Sequence, residues 1–321
     1  MATAEQIKSL IRSHSEDAEK FYTIALQVAA HEAQLGHGEL AHDIRNIIDK
    51  SQKKKPEIST SFPQDLQGLL FSELSDVSKS VLVIPPSLQS RIERIIHEYR
   101  QTHKLKTYGL SPRRKIMFIG NPGTGKTLTA RVLAHELRMP LRTVQVDRLV
   151  TKFMGETSAK LRQIFDLIQM ETGVYLFDEF DAIGGERSLD NDVGEMRRVI
   201  NSFLQFIEQD KSDSVIITAT NSPKLLDRAL FRRFDDVLYF KLPPAKDRKR
   251  LVQKVLSTFQ PPRFYWKGII ADSEGLSHAE IDQACRDAIK YSILHDKWVV
   301  NSSLLKQMLL ERQGAKRGLE S

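Results

Sequence analysis

The sequence predicts an α/β fold: a parallel sheet flanked by helices, with a small all-α N-terminal unit before it and a C-terminal helical lid behind it. Three observations carry that prediction. Short apolar runs near 115–119, 141–146, 173–178, 214–220 and 237–241 alternate with segments of helical period, and such alternation gives a parallel sheet covered on both faces. The first fifty residues show helical spacing throughout. Beyond Pro243-Pro244 the strand pattern stops, and helical segments follow near 246–257, 277–293 and 302–312.

Taken in order, Ser13 with Glu16 three residues on is a capping-box signature. The helix it opens carries Ala18, Phe21, Tyr22, Ala25, Leu26, Val28, Ala29 and Ala33 at helical spacing and ends at Gly36 and Gly38. A second helix, 39–50, places Leu40, Ile44, Ile47 and Ile48 on one face. A unit of this size cannot rely on a large core, so residues 1–50 are expected to recruit a partner or substrate, or to self-associate. Residues 51–80 read as a linker, marked by Lys53-Lys54-Lys55-Pro56 and by Ser59-Thr60-Ser61-Phe62-Pro63, with an apolar stretch from Leu66 to Leu74 expected to dock on one of its neighbours. A helix from Leu88 to Tyr99 leads into a large domain spanning 81–244; a helical lid (245–312) and a flexible tail (313–321) complete the chain.

The most informative stretch is Gly120-Asn121-Pro122-Gly123-Thr124-Gly125-Lys126-Thr127, the full G-x-x-x-x-G-K-[ST] pattern of a P-loop. Its setting fits: the apolar run 116–119 delivers it and a helix-like segment from Thr127 to Leu137 leaves it. Backbone N–H groups of such a loop and the following helix N-terminus form a phosphate cradle. Lys126 then reaches the β- and γ-phosphates, and Thr127 turns its hydroxyl to Mg²⁺. The residues point to a bound nucleoside triphosphate.

A second apolar run, Val174 to Phe177, ends in Asp178-Glu179. In P-loop enzymes the acid at a strand end holds the metal, which assigns Asp178 to Mg²⁺ and leaves Glu179 as the base for an attacking water. A third strand, Val215 to Thr220, ends in Asn221. A neutral amide there can hold the water without competing for metal, and Asn is equally a common turn former. Arg232 and Arg233 read either as a solvated surface pair or as fingers supplied in trans by a neighbouring copy to stabilise transition-state charge. The P-loop, Asp178-Glu179 and Asn221 all fall at strand carboxyl ends, where open α/β sheets bind ligands.

This order of motifs resembles the AAA+ ATPases, in the classical AAA branch, over about residues 80–312. The resemblance implies ATP as the nucleotide, Asn221 as the sensor residue, and Arg232 and Arg233 as arginine fingers. It makes Lys152-Phe153-Met154 with Gly155 a substrate-gripping pore loop, and Gly275 to Glu280 the second sensor region, with Ala279 where other branches carry arginine. It further implies a homo-oligomeric ring, a hexamer, that remodels or threads a protein substrate, and it admits a separate effector such as a protease. Two other readings stand beside it: a nucleotide-gated scaffold or switch, and an ATPase stimulated by nucleic acid. One departure is plain. The stretch that contacts adenine in this branch is replaced by Val81-Leu82-Val83-Ile84-Pro85-Pro86.

Composition narrows the remaining classes. Of 321 residues, 40% are hydrophobic and 28% charged, the ordinary balance of a globular domain. No apolar run approaches the roughly 18 residues a membrane helix needs, so no membrane association is expected. One cysteine, Cys285, excludes an internal disulfide and fits a reducing cytoplasm. Net charge is +7, yet residues 1–60 carry eight Lys or Arg against nine Asp or Glu. Part of the remaining excess is the P-loop lysine and the arginine pair, and no nucleic-acid-binding motif accompanies it. Direct nucleic-acid binding is therefore the less favoured use of that charge.

Overall fold

In the computed structural model of the chain, residues 25, 26, 29, 42, 43, 66–149, 154–183, 192–221, 231–259, 261, 263–296 and 298–320 are described. The N-terminal helices therefore fall outside the described residues, except at Ala25, Leu26, Ala29, His42 and Asp43, which are helical.

The apolar runs form strands because each must satisfy its backbone while burying both faces. β1 (Leu70–Glu73), β2 (Lys115–Gly120), β3 (Leu141–Gln145), β4 (Val174–Asp178), β5 (Val215–Thr220) and β6 (Asp236–Phe240) make one sheet in the order β1-β3-β4-β5-β2-β6. β3, β4, β5, β2 and β6 run parallel, in registers such as Val174↔Val215 and Phe118↔Ala219. Side chains alternate across a strand, so each run feeds two cores. On β2, Met117 and Ile119 face one side while Ile116 and Phe118 face the other; on β4, Tyr175 and Phe177 divide from Val174 and Leu176 in the same way.

The first face is covered by α5 (Met154–Met170) and α6 (Asp192–Gln209), through Leu161, Ile164, Phe165, Ile168, Phe203 and Ile207. The second is covered by α1 (Pro86–Arg100) and α3 (Lys126–Leu137), through Leu88, Ile92, Ile95, Ala130 and Leu133. The short α2 (Thr102–Thr107) lies between α1 and β2 in the chain, and α4 (Val146–Leu149) follows β3. Phe177 is fully buried, its ring 5.1 Å from that of Phe203, which in turn lies 4.5 Å from Phe180.

The sheet is larger than the sequence predicts, and mixed. β1 lies inside the stretch read as linker and pairs antiparallel with β3, Leu70↔Val144 to Glu73↔Leu141. Leu66, Leu69 and Leu70 join the first core, so this segment docks by adding an edge strand. Only four residues long and carrying Ser72 and Glu73, it offers too short a period to read.

After the sheet come α7 (Ala245–Val255), α8 (Trp266–Asp272), α9 (His278–Leu294) and α10 (Ser302–Glu320). They close a third core around Leu251, Leu256, Ile281, Ala284, Cys285, Leu305 and Leu309. Val83 belongs to this lid core, whereas its neighbour Ile84 belongs to the second face of the sheet. α10 continues to Glu320, through the stretch expected as a tail, and Gln313 donates to the carbonyl of Asp272 at 2.8 Å. Once a helix is nucleated, each further residue adds one bond at small cost, so α10 can run on where apolar residues thin to Ala315 and Leu319. Among the described residues no helix is long and apolar enough to cross a membrane.

Candidate active site at the strand carboxyl ends

The loop from Gly120 to Thr127 joins β2 to α3 and is wound by its glycines. Gly123 (φ 72°) and Gly125 (φ 99°) occupy the left-handed region, which a side chain disfavours. A Cβ on Gly123 would lie 2.6 Å from Ser277 Oγ, whereas one on Gly125 would meet nothing within 4 Å. The loop is thus closed on the lid side and open beside Gly125. Thr124 Oγ1 donates to Asn121 O at 2.7 Å and tightens the turn; Asn121 and Pro122 are exposed at its crest.

Lys126 begins α3 and is 7% exposed. Its Nζ donates to Gly120 O (2.7 Å), Asn121 O (3.1 Å) and Asn221 Oδ1 (2.8 Å). All three acceptors are neutral amide oxygens. Burial therefore pushes the lysine pKa down, opposed by the charges of Asp178, Asp181 and Glu179. A buried ammonium among neutral oxygens at a helix N-terminus is a ready partner for phosphate.

Thr127 Oγ1 donates to Asp178 Oδ2 at 2.8 Å, so a hydroxyl and a carboxylate from two elements meet at one point. That donor set, all hard oxygens, fits Mg²⁺. Asp178 Oδ1 accepts the N–H of Glu179 at 3.0 Å. Glu179 is exposed and holds φ at 51°, a conformation rare outside glycine and frequent at functional sites.

Lys126 is therefore bonded to Asn221 and Thr127 to Asp178, and Glu179 follows Asp178 at the edge of this cluster. The arginines stand apart: Arg232 is exposed, and Arg233 Nε pairs with Glu208 at 2.8 Å. Lys152 and Phe153 lie outside the described residues; Met154 opens α5, and its side chain is likewise outside them.

One site residue escaped the sequence reading. Asp181 Oδ1 accepts the backbone N–H of Asn221 at 3.0 Å, and its only signal was a third acid three positions after Asp178. The second sensor region also meets the loop directly: Ser277 caps α9 in a full capping box with Glu280, and the N–H of Ala279 donates to Gly123 O at 3.0 Å. His278 beside it is half-buried, and its two ring nitrogens are shielded from solvent with no bond of normal geometry to either. Burial pushes its pKa down, against the opposing influence of the Val83 backbone and of Asp247.

A family profile described as "ATPase family associated with various cellular activities (AAA)" matches residues 116–242, which hold every strand and loop of this cluster. An uncharacterized AAA family ATPase of Sinorhizobium fredii is 33% identical over 308 residues, 92% of this chain and 90% of its own length. The chain belongs to the AAA family of ATPases. It is accordingly an ATP-binding enzyme that hydrolyses ATP. Two other relatives align with this AAA ATPase over parts of their length. A 26S proteasome regulatory subunit homolog of Methanothermobacter thermautotrophicus is 30% identical over 62% of this chain and 55% of its own. The meiotic spindle formation protein of Caenorhabditis elegans is 35% identical over 56% of this chain and 39% of its own.

Proposed function

We propose that this ATPase works as a homo-oligomeric ring, a hexamer, that uses Mg-ATP to remodel or thread protein substrates in a cytoplasmic setting. The observation that carries the reading is that Arg232 is exposed and Arg233 is paired with Glu208, neither being bonded to Lys126, Thr127, Asp178 or Asn221 among the described residues. Cations so placed suit the site of an adjacent copy, where an arginine finger would stabilise charge on the transferred phosphoryl group. The likeness to a proteasome regulatory subunit homolog supports a protein substrate and admits an effector such as a protease. The single cysteine, buried in the lid core, suits a reducing compartment.

In this reading the P-loop N–H groups and Lys126 bind the phosphates, Glu179 takes a proton from the attacking water, and Asn221 orients that water. Mg²⁺, held by Thr127 and Asp178, would offset phosphate charge when bound. Lys152, Phe153 and Met154 would grip an extended polypeptide, Phe153 and Met154 through apolar contact.

The test is ATP turnover against protein concentration, wild type beside Glu179→Gln, with particle mass measured in ATP and in ADP. Specific activity that rises with concentration, a ring in ATP, and a Glu179→Gln variant that holds ATP without hydrolysing it are expected. Flat activity from a persistent monomer would overturn the ring. Phe153→Ala is expected to retain ATPase activity and lose remodelling; unchanged remodelling would favour a nucleotide-gated switch.

A further inference from the structure

We propose that Asp181 is a positioning residue for ATP hydrolysis: its carboxylate ties the turn that carries Glu179 to the strand end that carries Asn221. The inference rests on the reading of Glu179 as base and Asn221 as the water-orienting amide. Asp181 lies in the 3-10 turn Phe180–Ile183. An aspartate in a turn ordinarily caps its own backbone. Here the acceptor reaches out of the turn, and Oδ1 takes the N–H of Asn221, 40 residues away in sequence. The parallel ladder between β5 and β2 ends at Thr220, so the first residue beyond it is fixed by this carboxylate. A bond from an amide to an ionised acceptor is stronger than a neutral one.

The consequence for Asn221 is that both of its ends are held. Asp181 fixes the backbone N–H, and Lys126 holds the side-chain oxygen at 2.8 Å. The amide NH₂ then remains as the donor for a reacting water.

The consequence for Glu179 is equally direct. Its left-handed backbone persists only if its surroundings over-determine it. Asp178 Oδ1 takes its N–H, Ala182 donates to its carbonyl at 2.8 Å, and Phe180 is fully buried against Phe203. Those three anchors hold the turn to itself and to the core. The bond from Asp181 connects it to the neighbouring strand end, and so sets base and amide in one fixed relation. The Asp181 charge also bears on Lys126, opposing the effect of burial there, which places all three elements in one electrostatic unit.

The experiment compares full-length Asp181→Ala and Asp181→Asn with wild type and Glu179→Gln, measuring kcat and KM for ATP and the affinity for a fluorescent ATP analogue. Asp181→Ala is expected to lose roughly 10–100-fold in kcat, the usual effect of removing a supporting hydrogen bond behind a reactive group, with nucleotide affinity retained. Asp181→Asn keeps an oxygen acceptor at the same reach and is expected to recover most of that kcat. Wild-type kcat in Asp181→Ala would overturn the proposal. So would an equal loss in Asp181→Asn, or a fall in nucleotide affinity that accounts for the loss of turnover. A Glu179→Gln variant that turns over like wild type would instead overturn the underlying assignment of the base, and this inference with it.

Discussion

Two sets of cations are assigned by sequence to the same phosphate chemistry, and the fold treats them oppositely. Lys126 is buried and held by three oxygens of its own chain. Arg232 is exposed, and Arg233 rests on Glu208 away from the loop. A cation meant for the ligand of its own site is desolvated and oriented in advance, which strengthens each contact it makes. A cation meant for another copy's ligand must stay at the surface until that copy arrives. On the proposed reading, the difference is the physical basis for hydrolysis that depends on assembly.

The comparison breaks most sharply at the arginines. Arg232→Ala and Arg233→Ala are each expected to lower turnover by about 10³ or more while ATP binding persists. Mixing either variant with Glu179→Gln should restore activity, because each supplies what the other lacks. Wild-type turnover in both variants, or a mixture no better than its parts, would remove the arginines from the reaction. At Lys126 the effect belongs to binding within one chain. Losing a charge-assisted bond of about 1.5–3 kcal/mol should weaken ATP roughly 10–150-fold, read by titration with a fluorescent analogue, and unchanged affinity would contradict the cradle.

Smaller effects sharpen the contrast between loop and lid. Gly123→Ala meets both a left-handed backbone and Ser277 Oγ, so a loss of about 1–2 kcal/mol is expected. Both tryptophans of the chain, Trp266 and Trp298, lie in the lid region, and melting followed by their emission reports it; an unchanged midpoint would count against the close approach. The smallest effect is set by His278. Its pKa in the folded chain lies below the ordinary 6.5, so on acidification the unfolded chain takes up the proton first. Lid stability should therefore be level above pH 6.5 and fall as pH drops below it, by at most about 1.4 kcal/mol per unit. His278→Gln should flatten that slope, and an identical slope in the variant would assign it to other groups.

What could be read in advance follows from how each feature is encoded. The P-loop and the acids after β4 are contiguous stretches whose spacing is itself the chemistry, so Lys126, Thr127 and Asp178 meet where their motifs imply. The bond from Asp181 to Asn221 joins a side chain to a backbone N–H through space, and no residue type at Asn221 advertises it. The left-handed turn at Glu179 is a backbone property imposed by the core around Phe180. β1 was hidden because four residues at a sheet edge need only one apolar face, and α10 outran its apolar stripe because its backbone ladder was already formed.

The neighbours Val83 and Ile84 are rooted in different cores, and successive Cα atoms stand only about 3.8 Å apart. The two bodies cannot separate at that point, so any relative motion there is a swing, as of a door about its post. Val83 approaches His278, which adjoins Ala279 and, through it, the carbonyl of Gly123. The post thus stands beside the phosphate loop. A rod the length of α10, 19 residues or about 28 Å, sweeps about 5 Å when turned by about 10°. A turn at the loop too slight to break a hydrogen bond would, on this geometry, become a displacement at the lid's far end as large as a side chain.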